Sequence, residues 1–219
     1  MNRLLILILL CGLNICGWSK NYEYDRTKNI VYKKIDKETL KLDVYVPKGD
    51  GPFPAILVVH GGAWRFGSKG QLAIYARSLA KRGYTCFSIN YRLAPKYKSP
   101  AQTEDCRDAI RWIRKNASKY KADPERIGAM GYSAGGHLVS MLATTGLSEE
   151  SDPKRVGTKI IAAVAGGAPT DFRTVSEKSN ALSYWLGGAR NEEPEAYAAD
   201  SPNAFVDKDD SPIFFYNGS

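Results

Sequence analysis

Apolar runs alternate with segments of helical spacing from about residue 30 to the end of this chain. The runs lie at residues 55–59, 84–91 and 159–165, and they are typical of strands that are covered on both faces. Between the second and third runs, apolar residues recur at helical spacing from Cys106 to Ala117. Because neighbouring parallel strands need crossover helices, this alternation predicts one α/β domain. Its central sheet should be mostly parallel, with helices on both faces.

Local patterns predict the remaining elements. Residues 42–46 alternate between apolar and polar side chains, which predicts a half-buried strand that forms a hairpin with residues 30–35. Asp123 and Pro124 predict the end of the helix that contains Cys106. Residues 172–205 are polar and punctuated by Gly and Pro, so we expect an irregular insertion over the sheet edge. The other predicted elements are a helix that includes 72–79, a strand at 126–132, a helix at 134–144 and a last strand at 212–216.

Composition narrows the classes of protein. The 219 residues are 43% hydrophobic and 25% charged, which suits one sizeable core and excludes collagen, low-complexity disorder and multi-span membrane proteins. The formal charge of +8 comes from scattered basic residues, so no nucleic-acid partner is expected. His60 and His137 are the two histidines of the sequence, and no His or Cys pair has ligand spacing. With no Gly-rich phosphate loop either, the sequence predicts neither a metal nor another cofactor.

Residues 1–19 have the pattern of an export signal. Arg3 precedes an apolar run at 4–13, and the small residues Gly17 and Ser19 follow at a spacing that signal peptidase accepts. The run is too short to span a bilayer, so we expect a secreted or periplasmic protein without stable membrane insertion. Of the cysteines that would remain, Cys86 and Cys106 either pair in an oxidising compartment or are buried as small apolar side chains.

The segment from Gly131 to Gly135 has the form Gly-x-Ser-x-Gly and lies between a predicted strand and a predicted helix. This context indicates a nucleophile elbow, a tight turn that exposes the Oγ of Ser133. A Cβ at either flanking glycine would collide with the neighbouring strand or helix. The strain in the serine backbone holds its side chain clear of the turn.

A second motif follows the apolar run at 55–59. It begins with His60, Gly61 and Gly62, and its consecutive glycines allow the backbone to approach a substrate closely. Backbone N–H groups of such a loop, together with the N–H of Ala134, can hold the oxyanion of a tetrahedral intermediate. The alternative is an ordinary Gly-Gly turn at a strand end, and the elbow downstream makes that alternative the weaker one.

The sequence resembles the α/β-hydrolase superfamily, in particular its exported esterase and lipase branch with acetyl-xylan and feruloyl esterase-like domains. The resemblance implies that Ser133 is the nucleophile and that the substrate is a small-molecule or carbohydrate carboxylic ester. It places the oxyanion on the backbone around Gly62, Ala63 and Ala134. His60, Gly61, Gly131 and Gly135 would support this site. The residues that carry the resemblance are 60–64, 90–95, Asp105 with Ala109 and Trp112, 123–128, and 131–137.

The catalytic acid and base of that branch have no match in this sequence. The family has a stretch resembling His-Gly-x-x-Asp after the strand that matches residues 211–216, and Asn217 and Gly218 stand there instead. We therefore expect residues 20–219 to be a hydrolase domain that is incomplete at its C-terminus. The acid, the base, the last strand and the last helix would then lie beyond Ser219. Asp171 is an alternative acid, although an Asp at this position more often caps the next turn.

The histidines that are present make poor replacements for the base. His137 follows Ser133 by four residues inside a helix, so we expect it to be packed, and His60 should pin the glycine loop by hydrogen bonds. A serine without a base is a weak nucleophile, which predicts a 219-residue chain close to inactive.

Three functions remain open from the residues. The first is a serine esterase, the second an arylformamidase or exopeptidase on the same scaffold, and the third a catalytically silent protein that binds esters or glycans. Trp64, Tyr132 and Trp185 are candidates for pocket walls, and packing in the core or the insertion explains them equally well.

Overall fold

The computed structural model of the chain describes residues 21–217. The predicted signal peptide at 1–19 and Gly218 lie outside this part. The described residues form a sheet whose strand order is β1-β2-β4-β3-β5-β6-β7. The strands are β1 (Tyr24–Ile35), β2 (Glu38–Pro47), β3 (Phe53–Val59), β4 (Thr85–Ile89), β5 (Ala122–Tyr132), β6 (Ala163–Gly166) and β7 (Ile213–Tyr216). The helices are α1 (Ala73–Lys81), α2 (Ala101–Asn116), α3 (Ala134–Thr145), α4 (Ser183–Leu186) and α5 (Pro194–Ala199).

The sheet is mostly parallel, as predicted. Strands β4, β3, β5, β6 and β7 run parallel to one another, while β1 and β2 form the predicted antiparallel hairpin at one edge. The hairpin joins the parallel part through antiparallel pairing of β2 with β4. Because parallel strands share a direction, the C-terminal ends of β3 and β5 are adjacent, with Val59 opposite Gly131. This edge of the sheet brings the two sequence motifs together.

Helices cover both faces of the sheet. Ala76 and Ala80 of α1 pack with Val58 and Cys86 on one face. Residues of α2 and α3 pack in a larger cluster with the side chains of alternate strand positions on the other face; these include Leu57, Val59, Cys106, Ile110, Leu138 and Leu142. Cys86 and Cys106 thus belong to two different clusters, both thiols are free, and burial raises the pKa of each. Of the two alternatives for these cysteines, the structure therefore contains buried free thiols and not a disulfide between them.

Two predicted boundaries are wrong. Helix α2 ends at Asn116, before Asp123 and Pro124, because a 3₁₀ turn at Ser118–Tyr120 and a left-handed Lys121 (φ 50°) reverse the chain first. The two residues that were expected to end the helix lie instead within the first three residues of strand β5. Strand β6 has four residues rather than the seven expected at 159–165.

The segment at 172–205 is less irregular than expected. It contains α4, α5 and two 3₁₀ turns, Phe172–Thr174 and Pro202–Ala204. Trp185 and Tyr197 of this segment are fully buried, so it contributes to the core as well as covering the sheet edge. Within residues 21–217, no helix combines the length and hydropathy needed to cross a bilayer.

Candidate active site

Ser133 lies in a sharp turn between β5 and α3. Its φ of 54° and ψ of −121° are far from the regions that non-glycine residues prefer, and such strain is typical of functional turns. Space on both sides of the turn is minimal. A Cβ at Gly131 would lie 2.2 Å from the carbonyl oxygen of Gly135, and a Cβ at Gly135 would lie 2.1 Å from that of Val59. Both glycines are therefore required for β5, α3 and β3 to approach this closely.

The loop after β3 lies directly against this turn. A Cβ built on Gly61 would be 3.3 Å from the Cβ of Ser133 and 2.7 Å from the carbonyl oxygen of Tyr132. Ala134 is the first residue of α3, so its N–H has no acceptor within the helix. Within residues 21–217, the N–H groups of Gly62 and Ala63 donate to no backbone carbonyl. Ser133 is partly exposed, and the residues next to it in the turn and in the adjacent loop thus carry backbone N–H groups without a backbone acceptor in the described part of the chain.

His60 holds the start of the loop. Its Nδ1 is 2.8 Å from the carbonyl oxygen of Gly61, and its ring stacks on Tyr91 with 4.2 Å between centroids. The Tyr91 hydroxyl donates to the carbonyl oxygen of His60 at 3.0 Å. Burial lowers the pKa of His60 to about 4, so the ring is neutral at pH 7 and Nδ1–H is the donor to Gly61. These contacts fix the loop and leave Nδ1 unavailable as a base.

His137 is fully buried among aromatic rings. The indole Nε1–H of Trp64 donates to its Nδ1 at 3.1 Å, so Nε2 carries the proton and donates to the carbonyl oxygen of Asp200 at 2.7 Å. Burial lowers the pKa of His137 to about 4. Phe172 and Trp185 enclose the remaining faces of the ring. Because both nitrogens have partners, this histidine is a packing residue within α3.

Asp171 caps the turn that follows it. Its Oδ1 accepts the backbone N–H of Arg173 at 3.1 Å, and its Oδ2 lies 2.7 Å from the guanidinium of the same residue. These hydrogen bonds lower the pKa of Asp171. Neither His60 nor His137 is among its partners within the described part of the chain. The geometry therefore fits the capping alternative rather than the acid.

An ion cluster around Asp105 is linked to the end of the glycine loop. Asp105, fully buried in α2, accepts Lys33 Nζ at 2.6 Å and both the backbone N–H and Nε of Arg92 at 2.9 Å. Charged partners of this kind are required when a carboxylate is buried. Two residues beyond Arg92, the backbone N–H of Ala94 donates to the carbonyl oxygen of Trp64 at 2.9 Å. The ion cluster thereby connects β1 and α2 to the end of the glycine loop.

The candidate pocket walls divide into two groups. Trp64 and Trp185 are buried and stacked on each other at 3.7 Å, so they are core residues. Tyr132 is 44% exposed beside Ser133 and remains available to a ligand. Sequence reasoning missed Tyr184, whose hydroxyl donates to the carbonyl oxygen of Ala63 at 2.8 Å. No sequence pattern connects two residues 121 positions apart; the only nearby signal was Trp185, the residue that follows it.

The profile of the BD-FAE family matches residues 42–219, which is most of the chain. The chain belongs to the BD-FAE family. The strands that carry the candidate site, the turn at Ser133 and the loop at 60–64 all lie within the BD-FAE match.

Individual relatives and solved structures agree with the BD-FAE assignment. Esterase LipC of Mycobacterium tuberculosis is 29% identical over 218 residues, 94% of this chain and 53% of its own length. Bovine (Bos taurus) arylacetamide deacetylase is 36% identical over 164 residues, 70% of this chain and 40% of its own. A solved truncated form of a carbohydrate esterase from gut microbiota has a TM-score of 0.76 at 28% identity, covering 91% of this chain and 78% of that one. The fold is that of the α/β-hydrolases, and the chain spans about half the length of the curated relatives it matches.

Residues 21–217 contain no group of three or more His, Cys, Asp or Glu side chains arranged to hold a metal ion.

Proposed function

We propose that this chain is the nucleophile-bearing part of a carboxylic ester hydrolase in which Ser133 attacks the ester carbonyl. The Oγ of Ser133 forms the new bond, the alcohol leaves, and water then releases the acid from the acyl-enzyme. The N–H groups of Gly62, Ala63 and Ala134 hold the oxyanion of each tetrahedral intermediate. The observation that carries the proposal is the strained backbone of Ser133, held against the loop at Gly61.

The base and acid of this reaction are proposed to come from a segment that follows residue 219. Support comes from the partners of the candidate residues in the described chain: both nitrogens of His137 are bonded, His60 donates into its own loop, and Asp171 pairs with Arg173. The share of the curated relatives that this chain covers, 53% for LipC, leaves room for such a segment. The 219 residues alone should then retain only the contribution of the oxyanion site and binding, a residual of roughly 10³–10⁴ over water.

The substrate class and the compartment are also proposals. Short-chain acyl esters and carbohydrate-linked esters both suit a partly exposed serine beside an aromatic side chain, that of Tyr132. A solved neighbour is a carbohydrate esterase and another relative is an arylacetamide deacetylase, which supports an ester or amide acyl group at this serine. The export signal expected at residues 1–19 supports secretion or a periplasmic site of action.

Mapping the acylated residue tests the proposed nucleophile. After incubation with p-nitrophenyl acetate, we expect the mass of one acetyl group on the peptide that contains Ser133. The adduct should accumulate because a serine without its base also deacylates slowly. The S133A variant should lack this adduct while keeping the same slow acetylation of surface lysines. An equal adduct in both proteins, or acetyl groups on lysines alone, would refute the assignment.

A further inference from the structure

The carbonyl groups on either side of Ala63 are both held by hydrogen bonds. The carbonyl oxygen of Gly62 accepts the N–H groups of Arg65 at 3.0 Å and Phe66 at 2.8 Å within the loop. The carbonyl oxygen of Ala63 accepts the hydroxyl of Tyr184 at 2.8 Å. In a trans peptide the C=O and the following N–H point in opposite directions. Fixing these two carbonyls therefore fixes the directions of the Ala63 and Trp64 N–H groups.

This arrangement holds a strained backbone. Ala63 has a φ of 50° and Trp64 a φ of 55°, and neither is a glycine. Left-handed conformations of such residues persist only where surrounding contacts enforce them. Trp64 is enforced by the stack on Trp185 and by the Ala94 N–H on its carbonyl oxygen. For Ala63, which is exposed, the hydroxyl of Tyr184 is the one tertiary hydrogen bond on its carbonyl within the described part of the chain.

We propose that Tyr184 is a positioning residue for the oxyanion site, because its bond to the Ala63 carbonyl oxygen holds the Ala63–Trp64 peptide and so keeps Ala63 left-handed. The Gly62 carbonyl, fixed by Arg65 and Phe66, orients the Ala63 N–H itself, so the two anchors together hold this donor in place. This inference rests on the proposed function. It gives the insertion at 172–205 a role in fixing the conformation of the oxyanion loop, in addition to covering the sheet edge. The residue is not expected to contact the reacting atoms.

Two further contacts fit this role. The guanidinium of Arg65, on the same loop, lies 5.5 Å from the centroid of the Tyr184 ring, so loop and insertion meet on two sides of the tyrosine. Burial raises the pKa of Tyr184, although the charge of Arg65 opposes this, and the phenol therefore keeps its proton in neutral solution. It can thus serve as the hydrogen-bond donor throughout the range in which ester hydrolysis is measured.

The test removes one oxygen atom. In the full chain, the Y184F variant should lower the Ser133-dependent kcat for p-nitrophenyl acetate about tenfold. That is less than the ~10²–10³ lost with an oxyanion donor itself. KM should stay within about twofold, because the tyrosine does not touch the substrate. The matched control is Y97F, since Tyr97 is also half-buried and its hydroxyl bonds Glu38 at 3.1 Å, outside the oxyanion loop.

A second readout does not depend on turnover. The Cα and Cβ chemical shifts of Ala63 report whether its backbone is left-handed, and they should move towards extended values in Y184F but not in Y97F. An unchanged kcat with unchanged Ala63 shifts would overturn the inference, as would a loss confined to KM. If wild type and S133A give the same acetyl adducts, so that none lies on Ser133, the proposed function fails, and the Ala63 shifts still decide whether Tyr184 holds the loop.

Discussion

Replacing Gly135 by alanine is expected to prevent stable folding, with a loss of more than about 4 kcal/mol in the free energy of unfolding. The added methyl would lie 2.1 Å from the carbonyl oxygen of Val59 and 2.5 Å from that of His60. Neither atom is the end of a flexible side chain. Relief therefore requires α3 to move away from the end of β3, which would separate Ser133 from the glycine loop.

Thermal unfolding and soluble yield measure this effect. G131A should behave like G135A, because its methyl would lie 2.2 Å from the carbonyl oxygen of Gly135. The matched control is G70A: Gly70 is exposed and its added methyl would meet only the Ser68 hydroxyl, at 3.7 Å. We expect G70A to unfold within about 0.5 kcal/mol of the wild type. A G135A protein with a wild-type Tm would show that the packing between β3 and α3 is looser than these distances require.

The elbow could be predicted from sequence because its causes are local. Glycines two residues before and two residues after Ser133 are needed wherever a strand turns directly into a helix, and the flanking apolar pattern shows that both elements are present. The parallel sheet follows in the same way from the continuous apolar runs, such as the one in β3. The end of α2 had no such signal: Lys121 adopts a left-handed conformation that nothing in its residue type predicts.

The contacts that complete the site join residues that are distant in sequence, so no periodic pattern in the sequence predicts them. Trp64, His137 and Trp185 come from three separate segments and meet only because α3 and the insertion pack over the end of β3. Sequence reasoning expected His137 to be packed from its place inside a helix, but it could not say why a polar ring should be buried there. The reason is that its ring bridges Trp64 in the glycine loop to the backbone of Asp200 in the insertion.

Acidification from pH 7 to pH 5 is expected to lower the free energy of unfolding by roughly 2–3 kcal/mol. Burial lowers the pKa of both His60 and His137 from 6.5 to about 4. Between these values the unfolded chain binds more protons than the folded one. Each histidine therefore contributes stability that is present at pH 7 and is lost as the pH falls from 6.5 towards 4. Between pH 7 and pH 5, the loss in the free energy of unfolding amounts to about 2 kcal/mol per histidine.

A buried acid opposes part of this loss. Burial raises the pKa of Asp200 from 3.8 to about 6, although the hydrogen bond from Ser99 works against the shift. Asp200 therefore contributes stability that is present below pH 3.8 and is lost as the pH rises through 6, an offset of about 1 kcal/mol over the same interval. Asp108 and Asp152, whose pKa values are held near 2, lose their contributions only below pH 4.

The Tm of the full chain at pH 7 and pH 5 measures the net effect, which should be a fall of about 4–8 °C. D200N, which keeps the shape of the side chain and a partner for Ser99, should steepen the fall because the offset is gone. H137Q should flatten it by about two-thirds. A Tm that does not change between pH 7 and pH 5 in wild type and D200N would contradict the prediction.

Protonation of His137 also has a consequence for the site. A charged imidazole donates from both nitrogens, so the Trp64 Nε1–H would lose its acceptor. Trp64 is one of the two left-handed residues of the glycine loop, and its contact with His137 is among those that hold it there. The oxyanion loop should therefore loosen in the same pH range as the fold. Any Ser133-dependent hydrolysis should fall below about pH 5 together with the Tm, and less steeply in H137Q than in wild type.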